Sequence, residues 1–268
     1  MPHSTSSNNA NAPEGARTAT VSATRPAPAT PISPAADATA AVVLSSGGVD
    51  STTCLALALE RFPRDKVTTV SVFYGQRHAR ELEAARAVAA HYGVAHRELN
   101  LASVLADSDN ALMANSTRTV PHESYGEQVR DSRNGLVETY VPFRNGLMLS
   151  AVAALGLSLY PSDHTALYLG AHMDDAAGDA YPDCSPEFTE TMGRAISLGT
   201  AGLVSVCAPF VAMDKAQVVA CGLALHVPYE LTWSCYEGGD KPCGTCGTCV
   251  DRLRAFHANG VEDPVEYA

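Results

Sequence analysis

Two groups of residues in this chain have the types and spacing that chemistry needs. The first is the polar string Ser45-Ser46-Gly47-Gly48-Val49-Asp50-Ser51-Thr52-Thr53, which follows the apolar run Ala41 to Leu44. Beyond it, Cys54, Leu55, Ala58 and Leu59 recur at helical spacing. The string is therefore predicted to lie between the carboxyl end of a buried strand and the amino end of a helix. The first backbone N–H groups of a helix have no internal acceptor and carry the positive end of its dipole, so an anion is stabilised there. Gly47 and Gly48 let the backbone curl closely round a phosphate, and Ser46, Ser51, Thr52 and Thr53 add hydroxyl donors. The second group is Cys235, Cys243, Cys246 and Cys249, spaced Cys-x7-Cys-x2-Cys-x2-Cys among Pro242, Gly244 and Gly247. Four thiolates this close suit a closed tetrahedral site with no open position, hence a structural one; one Zn²⁺ is expected, with an iron–sulfur cluster as the alternative.

The loop has neither the Gly-x-x-x-x-Gly-Lys-Ser/Thr of a Walker loop nor the Gly-x-Gly-x-x-Gly of a dinucleotide fold. It contains no Lys to reach a terminal phosphate, which points to a diphosphate held by amides and hydroxyls, with Asp50 available to help hold Mg²⁺. Ser46-Gly47-Gly48-Val49-Asp50-Ser51 resembles the PP-loop of ATP pyrophosphatases. The resemblance implies that ATP is held along the stretch from Ser45 through Val49 to Cys54 and Leu55, while a substrate oxygen attacks the α phosphorus.

The rest of the chain alternates strand and helix. A helix from Asp50 should stop by Phe62, because Pro63 follows; Val67 to Tyr74 is β-branched and aromatic and reads as a strand. Gly75-Gln76-Arg77-His78 then leads into a helix over Ala79 to Tyr92 that Gly93 can cap. Further strands are expected over Val94 to Leu101, Ala166 to Gly170 and Leu203 to Cys207, and helices over Gly146 to Tyr160, Pro186 to Thr200 and Lys215 to His226, the last opened by Asp214. Ala102 to Glu138 lacks a clean period and reads as a long loop or lid. This pattern specifies an α/β fold, a doubly wound parallel five-stranded sheet of Rossmann-like type. It spans about 39–228, with a disordered low-complexity tail over 1–38 and a zinc-binding segment over 229–268.

In such sheets ligands bind at the carboxyl ends of the strands, which marks the polar residues there as candidates. Gln76, Arg77 and His78 are expected to contact substrate or nucleotide. Arg144 and Asn145, at the start of a helix, offer a cation for phosphate or carboxylate and an amide for a polar ligand edge, against the plainer reading of a cap beside a surface Arg. Asp183 is placed to accept hydrogen bonds from the N–H edge of a guanine-like base, whereas His172, Asp174 and Asp175 read as solvated or capping. The candidates for catalysis are Asp50, Ser51, Arg77 and Arg144.

With 268 residues, 46% of them hydrophobic, the chain can bury one α/β core plus an appendage. A net charge of −11 argues against a broad basic surface for nucleic acid and favours a small-molecule substrate met by locally placed cations. No uninterrupted apolar stretch approaches the ~20 residues of a membrane span. Eight Cys might suggest a secreted disulfide protein, but four are clustered and no signal-peptide segment is evident, so a cytoplasmic metalloprotein is expected. Cys54, Cys184, Cys207 and Cys221 read as small core residues.

Taken in order, Ser46 to Thr53, Tyr74-Gly75-Gln76-Arg77-His78, Val141-Pro142-Phe143-Arg144-Asn145, Tyr181-Pro182-Asp183-Cys184 and Thr232-Trp233-Ser234-Cys235-Tyr236 with the cysteine cluster resemble the 7-cyano-7-deazaguanine synthase (QueC) family. The family often has a small residue where Phe143 stands. The resemblance implies an ATP-dependent ligase acting on 7-carboxy-7-deazaguanine and ammonia through adenylated carboxylate and amide intermediates, without direct contact to nucleic acid or membrane. It implies a homodimer as well. The product would feed queuosine in tRNA or a related deazapurine route. The loop chemistry favours AMP and pyrophosphate over ADP and phosphate as nucleotide products. The competing readings are a PP-loop tRNA sulfur-transfer enzyme, which needs a reactive Cys and a basic surface, and a noncatalytic zinc-dependent binding module.

Overall fold

The computed structural model describes residues 31–122, 136–174 and 181–268. In chain order the elements are β1 (Ala40–Leu44), α1 (Val49–Arg61), β2 (Val67–Phe73), α2 (Arg80–Tyr92), β3 (Ala95–Asn100), α3 (Arg144–Leu159), β4 (Thr165–Tyr168), α4 (Pro186–Gly199), β5 (Val204–Cys207), α5 (Lys215–Ala224) and α6 (Gly247–Ala258). The five strands are parallel in the order β3-β2-β1-β4-β5. β1 is central: Ala41 pairs with Val67 on one side and Ala166 on the other, and all its residues are buried. That explains its unbroken apolar run, since both faces of a parallel sheet are covered.

Successive residues of β1 face opposite layers. Val43 joins Leu55, Ala58, Val88 and Val218, from α1, α2 and α5, and Phe210 from the turn after β5, whereas Val42 and Leu44 join Leu149, Val152 and Ile196, from α3 and α4. β3 is the edge and carries exposed Arg97 and Glu98 where pairing stops, as edge strands need. Two expected caps operate: Gly93 ends α2 with φ 67, and Asp214 forms a capping box with Gln217 on α5; at the start of α4, Ser185 accepts from the Phe188 N–H.

The packed chain begins earlier than composition suggested. Residues 1–30 lie outside the described residues, but Ile32 exchanges backbone hydrogen bonds with Ala208, and Arg61 donates to the Ala35 carbonyl at 2.6 Å. In the long connection after β3, the described parts tuck Leu105, Leu112 and Met113 against Tyr74 and Val141, and Met113 bridges to Gln76; its residues 123–135 lie outside the described ones. The helix α6 has no counterpart in the sequence reading. It packs Ala255 and Phe256 against α1 and α5, so the C-terminal segment shares their core. Among the described residues, no helix is long and apolar enough to cross a membrane.

Candidate active site and metal centre

After β3 the chain reverses direction across the sheet and lays β4 beside β1, so the loops leaving β1 and β4 diverge. Such a switch point opens a crevice at the strand ends. Here it is a cavity of about 250 Å³ lined by Ser45, Ser46, Gly48, Val49, Asp50 and Ser51 after β1 and by Leu169 to His172 after β4. The two loops touch closely: a Cβ on Gly170 would stand 3.1 Å from the Asp50 carbonyl carbon and the Ser51 nitrogen.

The β1 loop is held in shape by its own hydroxyls. Ser51 Oγ accepts from the Ser46 N–H at 3.2 Å and donates to the Gly48 carbonyl at 3.3 Å, and Ser46 Oγ accepts from the Gly48 N–H at 3.3 Å. Gly48 lines the cavity, but Gly47 has a different duty from the one its sequence suggested. With φ 76, it is pressed onto α2, where a Cβ would stand 2.5 Å from both the Glu81 carbonyl oxygen and the Ala85 nitrogen. Thr53 Oγ1 donates to the Val49 carbonyl and meets the Tyr229 hydroxyl, each at 2.8 Å, while Cys54 and Leu55 are core residues. Of the ATP-binding stretch expected from Ser45 to Leu55, the cavity therefore meets residues only as far as Ser51.

The cation missing from the loop arrives from the start of α5. Lys215 Nζ lies 2.5 Å from Asp50 Oδ2 and 3.4 Å from His172 Nε2, and its backbone N–H donates to Asp174 Oδ2 at 2.8 Å. His172 and Asp174, read from sequence as solvated or capping, thus line the cavity, although Asp174 does cap; Asp175 lies outside the described residues. Burial alone would raise the Asp50 pKa, but the charges of Lys215 and His172 outweigh it and hold the carboxyl below its ordinary value. Asp50 Oδ1 and Ser45 Oγ are buried without a hydrogen-bond partner among the described residues. A carboxylate oxygen left open beside a phosphate loop is the donor Mg²⁺ takes when it bridges to phosphate oxygens, so Asp50 fits that ion.

A second set of interacting residues completes the lining: Tyr74, Glu81, Arg144, Tyr181 and Tyr236, with Asn145 and Cys184. The Arg144 guanidinium lies over the Tyr74 ring, 5.3 Å from its centroid, and donates to its hydroxyl at 3.3 Å. Burial pushes the Tyr74 hydroxyl up to about 12, so it stays protonated. Gln76 also borders the cavity, its amide bonding the Tyr74 N–H and the Val72 carbonyl at the end of β2.

Three sequence candidates stand elsewhere. Arg77 directs its guanidinium to the carbonyls of Met113, Ser116 and Arg118, tying down the connection after β3. The His78 ring packs under Gly238 of the C-terminal segment. Asp183 is buried behind the cavity wall, where Oδ2 accepts from the Asn145 N–H at 2.9 Å while the Asn145 side-chain amide donates to its carbonyl at 3.0 Å. Asn145 is therefore the second residue of α3, pinned by Asp183, rather than its cap. Phe143 precedes that helix in a left-handed conformation, φ 51, with its ring over Gly146 and edge-on to Phe188.

The four cysteines converge as their spacing predicts: their Sγ atoms all lie within 4.8 Å of one another, and Cys243 Sγ to Cys249 Sγ is 4.0 Å. One ion at ~2.3 Å from each sulfur sets sulfur–sulfur separations near 4 Å, which fits a single metal such as Zn²⁺ better than thiolates spread over several irons. Backbone N–H groups of Glu237 and Cys243 point at Cys235 Sγ, and those of Thr245 and Cys246 at Cys243 Sγ, at 3.3 to 3.4 Å. Such donors stabilise thiolates. Trp233 ties this centre to the phosphate loop, its backbone N–H donating to the Gly47 carbonyl at 2.9 Å and its indole N–H to the Cys235 carbonyl at 2.8 Å. Sequence reasoning missed Lys215 and Glu81, which have no local signal; Trp233 and Tyr236 stand on either side of Cys235 in the block that sequence singled out, but without a role in the cavity.

Comparison with known proteins adds a second line of observation. The family model described as queuosine biosynthesis protein QueC matches residues 40–260. A 7-cyano-7-deazaguanine synthase of Archaeoglobus fulgidus is 41% identical over 84% of this chain and 89% of its own length. Those of Marinobacter nauticus and Caldicellulosiruptor saccharolyticus are 41% and 39% identical, over 84% and 85% of this chain and 96% and 95% of their own.

Proposed function

The chain belongs to the QueC family, and from that membership we propose that it converts 7-carboxy-7-deazaguanine and ammonia into the nitrile 7-cyano-7-deazaguanine, driven by ATP. The observation that carries the ATP-dependent part is the switch-point cavity, where a phosphate loop, a half-buried cation and an open carboxylate oxygen face one space. Ser45, Ser46, Gly48 and Ser51 hold the β and γ phosphates. Lys215 and Asp50 take up their charge, Asp50 through Mg²⁺, which when bound neutralises the phosphate oxygens. Arg144 and Asn145 border the place of the base.

The chemistry follows from what a carboxylate lacks. It is a poor electrophile, so one of its oxygens attacks the α phosphorus, forming an acyl adenylate and releasing pyrophosphate. Ammonia attacks the acyl carbon, AMP leaves with that oxygen, and the amide remains after loss of a proton. The amide oxygen then attacks the α phosphorus of a second ATP, releasing a second pyrophosphate. Loss of AMP and of the nitrogen-bound protons leaves the C≡N bond. The same activation serves both halves, and no protein nucleophile is required. The protein's contribution is position and preorganised charge, the two largest sources of rate in such transfers. The cysteine centre, through Trp233, holds the loop rather than the reactants.

Incubation of the protein with 7-carboxy-7-deazaguanine, ammonium and Mg-ATP, followed by mass spectrometry of the bases, tests this. The nitrile is expected to appear with the amide as a transient. ATP cleavage with the carboxylate untouched would overturn the substrate assignment.

A further inference from the structure

The mechanism above leaves Glu81 without a task. Glu81, in the first turn of α2, lines the cavity, and its side chain has no hydrogen-bond partner among the described residues; the one charge that acts on it is that of Arg144. Around it stand Tyr74 and Tyr236. Tyr74 is engaged by Arg144, and the neighbouring Tyr181 hydroxyl by Thr139. The Glu81 carboxylate is half-buried, and the protein packed around it raises its pKa while the Arg144 charge opposes this. A half-buried carboxylate that lines a cavity and meets no donor of the described residues is open to accept hydrogen bonds from a ligand there.

Arg144 supplies the other half of the pattern. One of its N–H groups reaches the Tyr74 hydroxyl, and a guanidinium has five. A cation and a carboxylate on the lining of one cavity present donors and an acceptor to the same ligand. The six-membered ring of a deazaguanine presents the reverse along one edge: the carbonyl O6, then N1–H, then the 2-amino group. Resting on the substrate class proposed above, we infer that Glu81 accepts hydrogen bonds from N1–H and the 2-amino group while Arg144 donates to O6, so that this pair selects the base. Asp183, the sequence candidate for that task, is engaged by Asn145 behind the cavity wall. The contact of the Glu81 carbonyl with Gly47 fixes this reader relative to the phosphate loop, so one turn of α2 sets the register between base and ATP.

The test uses 7-carboxy-7-deazaguanine and its analogue lacking the 2-amino group, with the native protein and Glu81→Gln, measuring equilibrium binding of each base and KM for base and Mg-ATP separately. Hydrogen bonds to a charged acceptor predict that the native protein prefers the 2-amino base by about 10–100-fold. In Glu81→Gln, KM for the base rises by a similar factor, KM for Mg-ATP is unchanged, and the preference collapses. A merely structural role for Glu81 would move both KM values together. Retained preference in the variant, or a rise in KM for ATP alone, which would place adenine here, overturns the inference. Should Glu81→Gln not fold, Glu81→Asp must retain the preference, and equal binding of the two bases by the native protein is itself a refutation. A native protein that binds neither base fails earlier, at the substrate reading, and takes this inference with it.

Discussion

Lys215→Met removes a cation while keeping much of the side chain's bulk. Lys215 Nζ is 2.5 Å from Asp50 Oδ2, with the side chains 16% and 22% exposed, so the pair is closer to a buried than to a surface ion pair. Removing one partner of a buried pair costs about 3–5 kcal/mol, because the other charge stays desolvated, and the remaining exposure brings this to about 2–4 kcal/mol. In a protein of this size each kcal/mol lowers Tm by ~2–4 °C, so a fall of about 10 °C is expected. The assay is thermal and urea unfolding of the native protein, Lys215→Met, Asp50→Asn and the double variant, all without nucleotide. The double variant holds neither charge, so its destabilisation should be smaller than the sum of the singles by at least ~1 kcal/mol. In turnover, loss of a charge aimed at the phosphates should lower kcat/KM for ATP by about 10²–10³-fold. A Lys215→Met protein as stable as the native one, with an additive cycle, would refute the pairing. Normal turnover by a destabilised Lys215→Met would refute the phosphate role.

Other consequences can be checked separately. Trp233 is the chain's one tryptophan and bonds both Gly47 and Cys235, so metal removal by a chelator should shift its fluorescence and raise KM for ATP; unchanged emission from metal-free protein would break that link. Arg252 and Asp263 pair at 2.7 Å with side chains 3% and 2% exposed, so Asp263→Ala should destabilise by about 3–5 kcal/mol in urea unfolding, and a loss below ~1 kcal/mol would contradict it. Burial raises the Glu81 pKa above 4.5, and Arg144 only partly opposes this; Tyr74 and Tyr236 also face it. A carboxyl raised on folding stabilises the free protein below its unfolded pKa, and that contribution is lost as pH rises through the folded pKa. Base binding, which needs the carboxylate, runs the other way: base KM should climb as pH falls through that raised value in the native protein and not in Glu81→Gln.

Where the sequence was readable, one local cause produced one local structure. The Ala41 to Leu44 run, the glycine pair and Asp50 sit within a dozen residues, and the strand, turn and helix start follow from them. Strand order was not readable residue by residue, because β1 pairs with β4 across more than a hundred residues. Lys215 and Asp50 are 165 positions apart, so a search of the loop for its cation finds nothing. Gly47 signals close approach correctly, but the neighbour is α2. Asp183 and Arg77 are polar groups at strand ends, as ligand contacts would be, yet their partners are the Asn145 amide groups and backbone carbonyls, which composition cannot distinguish from a ligand. The helix α6 was hidden because its first turn carries Gly247 and Cys249 of the cysteine cluster.

If one site activates both the carboxylate and the amide by attack on the α phosphorus, an oxygen label follows both steps directly. With both carboxylate oxygens of 7-carboxy-7-deazaguanine carrying ¹⁸O, complete turnover should yield two AMP per nitrile, each AMP bearing one ¹⁸O and the pyrophosphate none. Label in inorganic phosphate with ADP as the nucleotide product would contradict the claim.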